Sequence, residues 1–125
     1  MDKTKLIIIS RYFFVSLILS IFLISIYPGN LIGLLIKGDP TTYPGGDKIS
    51  HFFAYFILSI TGYFSYRSKF KILSIFIFLG IFATAMEILH IVIPNRFYEN
   101  LDLVMNLAGV CVALIFFLRR PKFFF

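Results

Sequence analysis

Long apolar stretches separated by short polar bursts organise this chain. The first stretch covers about residues 6–27 and is broken only by Arg11. Three more cover about 48–66, 72–93 and 101–118. Each is long enough to cross a hydrocarbon core of about 30 Å as a helix rising about 1.5 Å per residue. Between the first two lies a connection, 28–46, in which Pro28, Gly29, Gly33, Gly38, Pro40, Pro44, Gly45 and Gly46 break any long helix. Its apolar segment 31–36 is too short to span and predicts a piece dipping into the interface, with a lid over a site as the functional alternative. The pattern predicts an all-α membrane protein with four transmembrane helices, forming one domain over residues 1–125.

Composition agrees with this reading. The chain is 59% hydrophobic and only 14% charged, with a mean hydropathy of +0.92. A soluble domain of 125 residues would need far more polar surface. The net charge of +6 raises nucleic acid as a partner. No basic stripe with interleaved aromatics occurs, however, and the basic residues sit where helix ends need anchors, so no nucleic acid is expected. Cys111 is the single cysteine and lies inside an apolar run, which excludes an intrachain disulfide and reads as packing rather than as a nucleophile. Lys3 and Lys5 resemble a signal-peptide start. The apolar part that follows is long, and residues 27–30 offer no small-residue cleavage pattern, so an uncleaved anchor is expected. Ser16 and Ser20, four apart, predict a helix-packing face.

The basic residues also assign sides. Lys3, Lys5 and Arg11, then Arg67, Lys69 and Lys71, then Arg119, Arg120 and Lys122 fall on one side; Lys37, Lys48 and Arg96 fall on the other. The positive-inside rule then places both termini in the cytoplasm. From these inner anchors, depth can be counted. Arg67 back to His51 and Lys71 forward to Glu87 are each about 24 Å along a helix, and Arg119 back to Asp102 is about 26 Å. His51, Glu87 and Asp102 are therefore expected at one level, just inside the outer boundary. Facing agrees: His51, Tyr55, Ser59 and Gly62 share one face, Gly80, Ala83, Thr84, Glu87 and His90 another, and Asp102, Asn106, Gly109 and Ala113 a third. Small residues mark where membrane helices approach closely, so the three polar stripes are expected to converge.

Ionisable residues at such depth are costly and mark a functional site by default. The candidates are Asp47, Lys48, His51, Tyr55, Glu87, His90, Arg96, Asp102 and Asn106. His51 and Glu87 are the candidate acid–base groups should a reaction occur. Arg96 suits two-pronged binding of phosphate or carboxylate, and equally a salt bridge to Glu87 or Asp102. Lys48 is an anion anchor or a snorkelling interfacial lysine. His51, Glu87, His90 and Asp102 have the ligand chemistry of a zinc site. No HExxH pattern is present, and no metal or cofactor is expected. Ser50 beside His51 points to another face, which disfavours a Ser–His nucleophile.

These residues fall in the segments Asp47-Lys48-x-x-His51-Phe52-x-x-Tyr55, Glu87-x-x-His90, Pro94-x-Arg96 and Asp102-x-x-x-Asn106-x-x-Gly109. The series, over about residues 47–110, resembles the VanZ-like family of small bacterial membrane proteins. That family's pattern is an Asp-Lys-x-x-His-Phe segment, a Glu-x-x-Gln followed by Pro-x-Arg, and an Asp-x-x-x-Asn-x-x-Gly segment. His90 departs from it, standing where the family has glutamine. The resemblance implies a multi-pass protein of the bacterial inner (plasma) membrane with an extracytoplasmic, envelope-facing site, and a link to teicoplanin-like glycopeptide sensitivity. The expected function is non-enzymatic binding of an anionic, lipid-linked envelope molecule, with membrane lipids as partners. Lys48 and Arg96 would hold the anion, ordered by His51, Glu87, Asp102 and Asn106. The alternatives are a hydrolase or transferase acting on a lipid phosphate or ester, and a scaffold for partner membrane proteins.

Overall fold

The computed structural model describes residues 2–41 and 48–119, all of whose regular structure is helical. In chain order the helices are α1 (Lys3–Ile26), α2 (Leu31–Lys37), α3 (Lys48–Tyr66), α4 (Ile72–Leu89) and α5 (Asn100–Arg119). Among them α1, α4 and α5 are long and apolar enough to cross a membrane. In α3, Lys48, Ser50, His51, Ser59, Thr61 and Ser65 dilute a helix of similar length, because this helix is the centre of the bundle and packs against α1, α4 and α5.

Local chemistry sets the helix ends. The Asp2 side chain accepts from the Thr4 N–H and starts α1 ahead of the apolar run. Asn30 accepts from the Gly33 N–H, 3.0 Å, to start α2. The third apolar run was expected to stay helical to residue 93, but α4 stops at Leu89. The amide of His90 reaches Glu87 O and that of Val92 reaches Leu89 O, so the chain has tightened into i→i+3 turns. Pro94 disfavours helical geometry at Ile93, and Asn95, at φ 61°, reverses the direction of the chain. This early stop frees Arg96 to fold back toward the bundle.

The bundle has two chemically different ends. Ser10 and Arg11 of α1 meet Ser65 at the end of α3, and Phe76 near the start of α4 meets Phe117 near the end of α5. Tyr63 stacks on the same Phe117 at 3.9 Å. At the opposite end His51, near the start of α3, bonds Asn106 of α5. Thus α3 and α5 run parallel, and α1 and α4 run antiparallel to them.

Gly109 is what brings α3 and α5 together. A Cβ there would collide with the Phe52 carbonyl oxygen and lie 2.9 Å from the Phe56 nitrogen. Gly62 likewise receives the Phe14 ring of α1. Gly80 was expected on such a face, yet no atom of the described residues lies within 4 Å of where its Cβ would be. Ser16 and Ser20 are exposed rather than packed; the Ser20 hydroxyl donates to Ser16 O of its own helix, 2.8 Å. Thr84 does the same to Gly80 O. A hydroxyl satisfied within its own helix needs no neighbour, so these residues do not mark contacts.

Candidate functional site

At the end opposite Ser10 and Arg11 the helices open around a cavity of about 530 Å³. Its polar wall comes from α3, α4 and α5 and includes His51, Tyr55, Glu87, His90, Asp102 and Asn106. Its apolar wall comes from Ile21, Ile24, Ile32, Met86 and Phe97. The connection after α1 closes one side, with Asn30 and Thr41 on the rim. That connection is folded onto itself, since the Asn30 amide donates to Pro40 O, 2.8 Å. Gly29, at φ 144°, turns the chain where a Cβ would lie 2.9 Å from that same oxygen.

Among the described residues Glu87 is the most buried ionisable group, 1% exposed. A carboxylate so placed needs partners. Its Oε1 accepts from the Glu99 amide at 3.3 Å and lies 3.4 Å from His90 Nδ1. Because Glu99 immediately precedes α5, Glu87 also sits at the positive end of that helix. His90 in turn presents Nε2 to Arg96 Nη2 at 2.9 Å. A guanidinium can only donate, so Nε2 accepts, and the nitrogen facing Glu87 carries the proton in the neutral ring. Arg96, Nη1 of which donates to Gly29 O at 2.7 Å, ties the turn after α1 to the end of α4. Burial lowers the Arg96 pKa, opposed by the nearby carboxylates of Glu87 and Asp102; the group stays charged.

On the opposite wall, His51 Nδ1 donates to Asn106 Oδ1 at 2.9 Å. This turns Nε2 toward Asp102, whose Oδ2 is 4.0 Å away. Asp102, in the first turn of α5, is paired through Oδ1 with Lys48 Nζ at 2.6 Å. That oxygen accepts no hydrogen bond of good geometry, so the contact is an ion pair. Lys48 also pairs with Glu99.

No protein-family model, curated protein or solved structure matches this chain. The site is therefore judged on its own chemistry. Of the expected residues, Lys48, His51, Tyr55, Glu87, His90, Arg96, Asp102 and Asn106 meet at this cavity or its edge; Asp47 lies outside the described residues, as do Arg120 and residues 121–125. Two expected roles shift. Lys48 is committed to two carboxylates, and two of Arg96's five N–H groups brace the protein itself, leaving the others for a ligand. Ser50 was expected on another face; it is exposed yet lines the same cavity as His51. Glu99 and Gly29 were not among the expected site residues. Glu99 carried one legible signal, an acidic residue just ahead of a helix start. Gly29 carried none, because its role is a backbone carbonyl 67 residues from Arg96.

Proposed function

We propose that this chain is a VanZ-like multi-pass protein of the bacterial inner membrane, with α3 as the fourth span, both termini cytoplasmic and the cavity facing outward. The cavity binds an amphipathic envelope molecule: a lipid-linked species whose anionic head enters the polar wall while its apolar part lies against Ile21, Ile24 and Met86. The two-faced lining carries this reading, because a purely structural polar cluster in a bundle has no need of an open cavity with an apolar wall. The basic Lys3, Arg11, Arg67 and Arg119 end supports the orientation, and the apolar Leu35 and Ile36 of α2, each 75% exposed, suit the outer interface. Altered sensitivity to teicoplanin-like glycopeptides would follow if the bound molecule is their cell-wall target or its precursor.

A second reading has one observation in its favour. His51 is oriented through Nδ1 by Asn106 and offers Nε2 to the cavity, the arrangement of a general base. A hydrolase or transferase acting on a lipid phosphate or ester would use it so.

Native mass spectrometry after mild extraction tests the binding reading. The wild type should carry an anionic lipid adduct, and Arg96→Lys, which keeps the charge but loses the planar donors, should fold and retain less of it. A wild type free of adduct, or an adduct held equally by Arg96→Lys, removes the reading.

A further inference from the structure

Among the described residues, the polar wall carries more carboxylates than fixed cations. Around the cavity, among the described residues, the carboxylates are Glu87, Glu99 and Asp102, and the fixed cations are Lys48 and Arg96. An uncompensated carboxylate in so buried a setting is expensive. The geometry also concentrates potential ligand atoms. One ligand atom from each of His51, Glu87 and Asp102, which come from three different helices, lies within 4.8 Å of the others.

We propose that His51 through Nε2, with one carboxylate oxygen each from Glu87 and Asp102, holds a divalent cation of the zinc or manganese class. Imidazole with two carboxylates is an ordinary donor set for such ions. Three protein ligands leave a coordination position open to the cavity. The outer partners strengthen the argument, because each ligand is already held at its other atom. His51 gives its second ring N–H to Asn106 Oδ1, the carbonyl partner that metal-bound histidines habitually have. Glu87 is fixed through Oε1 by the Glu99 amide. Asp102 is fixed through Oδ1 by Lys48. What remains is His51 Nε2, Glu87 Oε2 and Asp102 Oδ2, none with a hydrogen-bond partner among the described residues. A tetrahedral ion with bonds of about 2.1 Å needs ligand spacings of about 3.4 Å. Closing to that spacing requires the two carboxylates to turn about their held oxygens.

His90 is not a ligand, since Arg96 occupies its Nε2 and Glu87 its Nδ1. The ion turns a net negative wall into a positive one. An anionic head group could then occupy the open position; that last step alone rests on the binding reading above.

Metal alone is therefore the probe. Full-length protein in detergent, stripped with chelator and dialysed, is titrated with Zn²⁺ and followed by calorimetry and elemental analysis. A single ion per chain is expected. His51→Gln and Asp102→Asn should weaken binding at least about tenfold, and Asn106→Leu by roughly ten- to a hundredfold. X-ray absorption at the zinc edge of the wild type needs no variant to fold and should show one imidazole among oxygen neighbours at about 2.0–2.2 Å. Absence of stoichiometric binding, a zinc shell without imidazole, or affinity unchanged in a folded His51→Gln protein overturns the proposal. Lipid retention without zinc binding would sink the metal site and leave the binding reading standing.

Discussion

Polar groups are buried between helices at both ends of this bundle, and the two sets behave differently. At the basic end the Ser10 and Ser65 hydroxyls lie 2.8 Å apart, and Ser65 Oγ also reaches Thr61 O. Arg11 donates from Nε to Ser65 O at 2.9 Å and lies over the Tyr66 ring. Ser65 O is one of the last four carbonyls of α3, which have no partner within the helix, so Arg11 finishes that helix. At the other end His51, Glu87 and Asp102 are each held through one atom, whereas His90 and Arg96 are each held through two. His51, Glu87 and Asp102 line the cavity, and one ligand atom from each lies within 4.8 Å of the others. A saturated cluster braces; a half-saturated one beside a cavity has the groups to take up a ligand, as proposed above. Burial of charge by itself does not separate the two cases, whereas an atom-by-atom account does.

A large effect is expected from separating the helices that hold the cavity end. Gly109→Ala puts a Cβ into the Phe52 backbone, where no side chain can yield. It should cost about 1–3 kcal/mol in thermal or denaturant unfolding in detergent, and should loosen the His51–Asn106 bond one turn away. Gly80→Ala, with open space at its Cβ, should be neutral or stabilise by up to about 1 kcal/mol by removing a glycine from a helix. Equal behaviour of the two variants would show that α3 and α5 do not approach through Gly109.

How far the sequence could be read follows the same physics. The apolar runs set four of the helices, because period and length survive any packing. The common level of His51, Glu87 and Asp102 was also legible, since the rise per residue is fixed and the basic anchors share a surface. Partner choice was not. Arg96 reaches Gly29, and Lys48 chooses Glu99 along with Asp102, through loops whose path no periodicity encodes. The serines and threonines misled for a related reason, because a hydroxyl that bonds its own helix looks the same in sequence as one that bonds a neighbour. The end of α4 was missed because the influence of Pro94 extends back past the residue beside it.

A direct test of bracing against receiving compares one residue from each end. Arg11→Leu removes a charged donor from a buried carbonyl and should cost about 1.5–3 kcal/mol. Glu87→Gln should stay within about 1 kcal/mol of the wild type, because its side-chain oxygen can still accept from the Glu99 amide, a bond worth about that much. It should nonetheless lose zinc and lipid occupancy. If Glu87→Gln unfolds as readily as Arg11→Leu, with occupancy falling only in proportion, the two ends are alike and the cavity end is a brace.

A small effect is expected of His90→Gln, and the comparison at His90 is the sharpest about roles. His90 has two tasks: its Nε2 accepts from Arg96 Nη2, and its Nδ1 faces Glu87 Oε1. Glutamine can do both, accepting with its carbonyl and donating with its amide. His90→Gln should therefore change unfolding stability by less than about 1 kcal/mol, the worth of one hydrogen bond, and should keep zinc affinity within about tenfold. His90→Leu fills similar space and does neither task, leaving Arg96 short of an acceptor in a half-buried setting, at a cost of about 1–3 kcal/mol. If His90 were instead a metal ligand, glutamine would fail together with leucine in zinc binding while the fold stayed intact. Retained zinc affinity in His90→Gln beside lost affinity in His51→Gln would divide the two histidines into a relay that positions Glu87 and a ligand that meets the cavity.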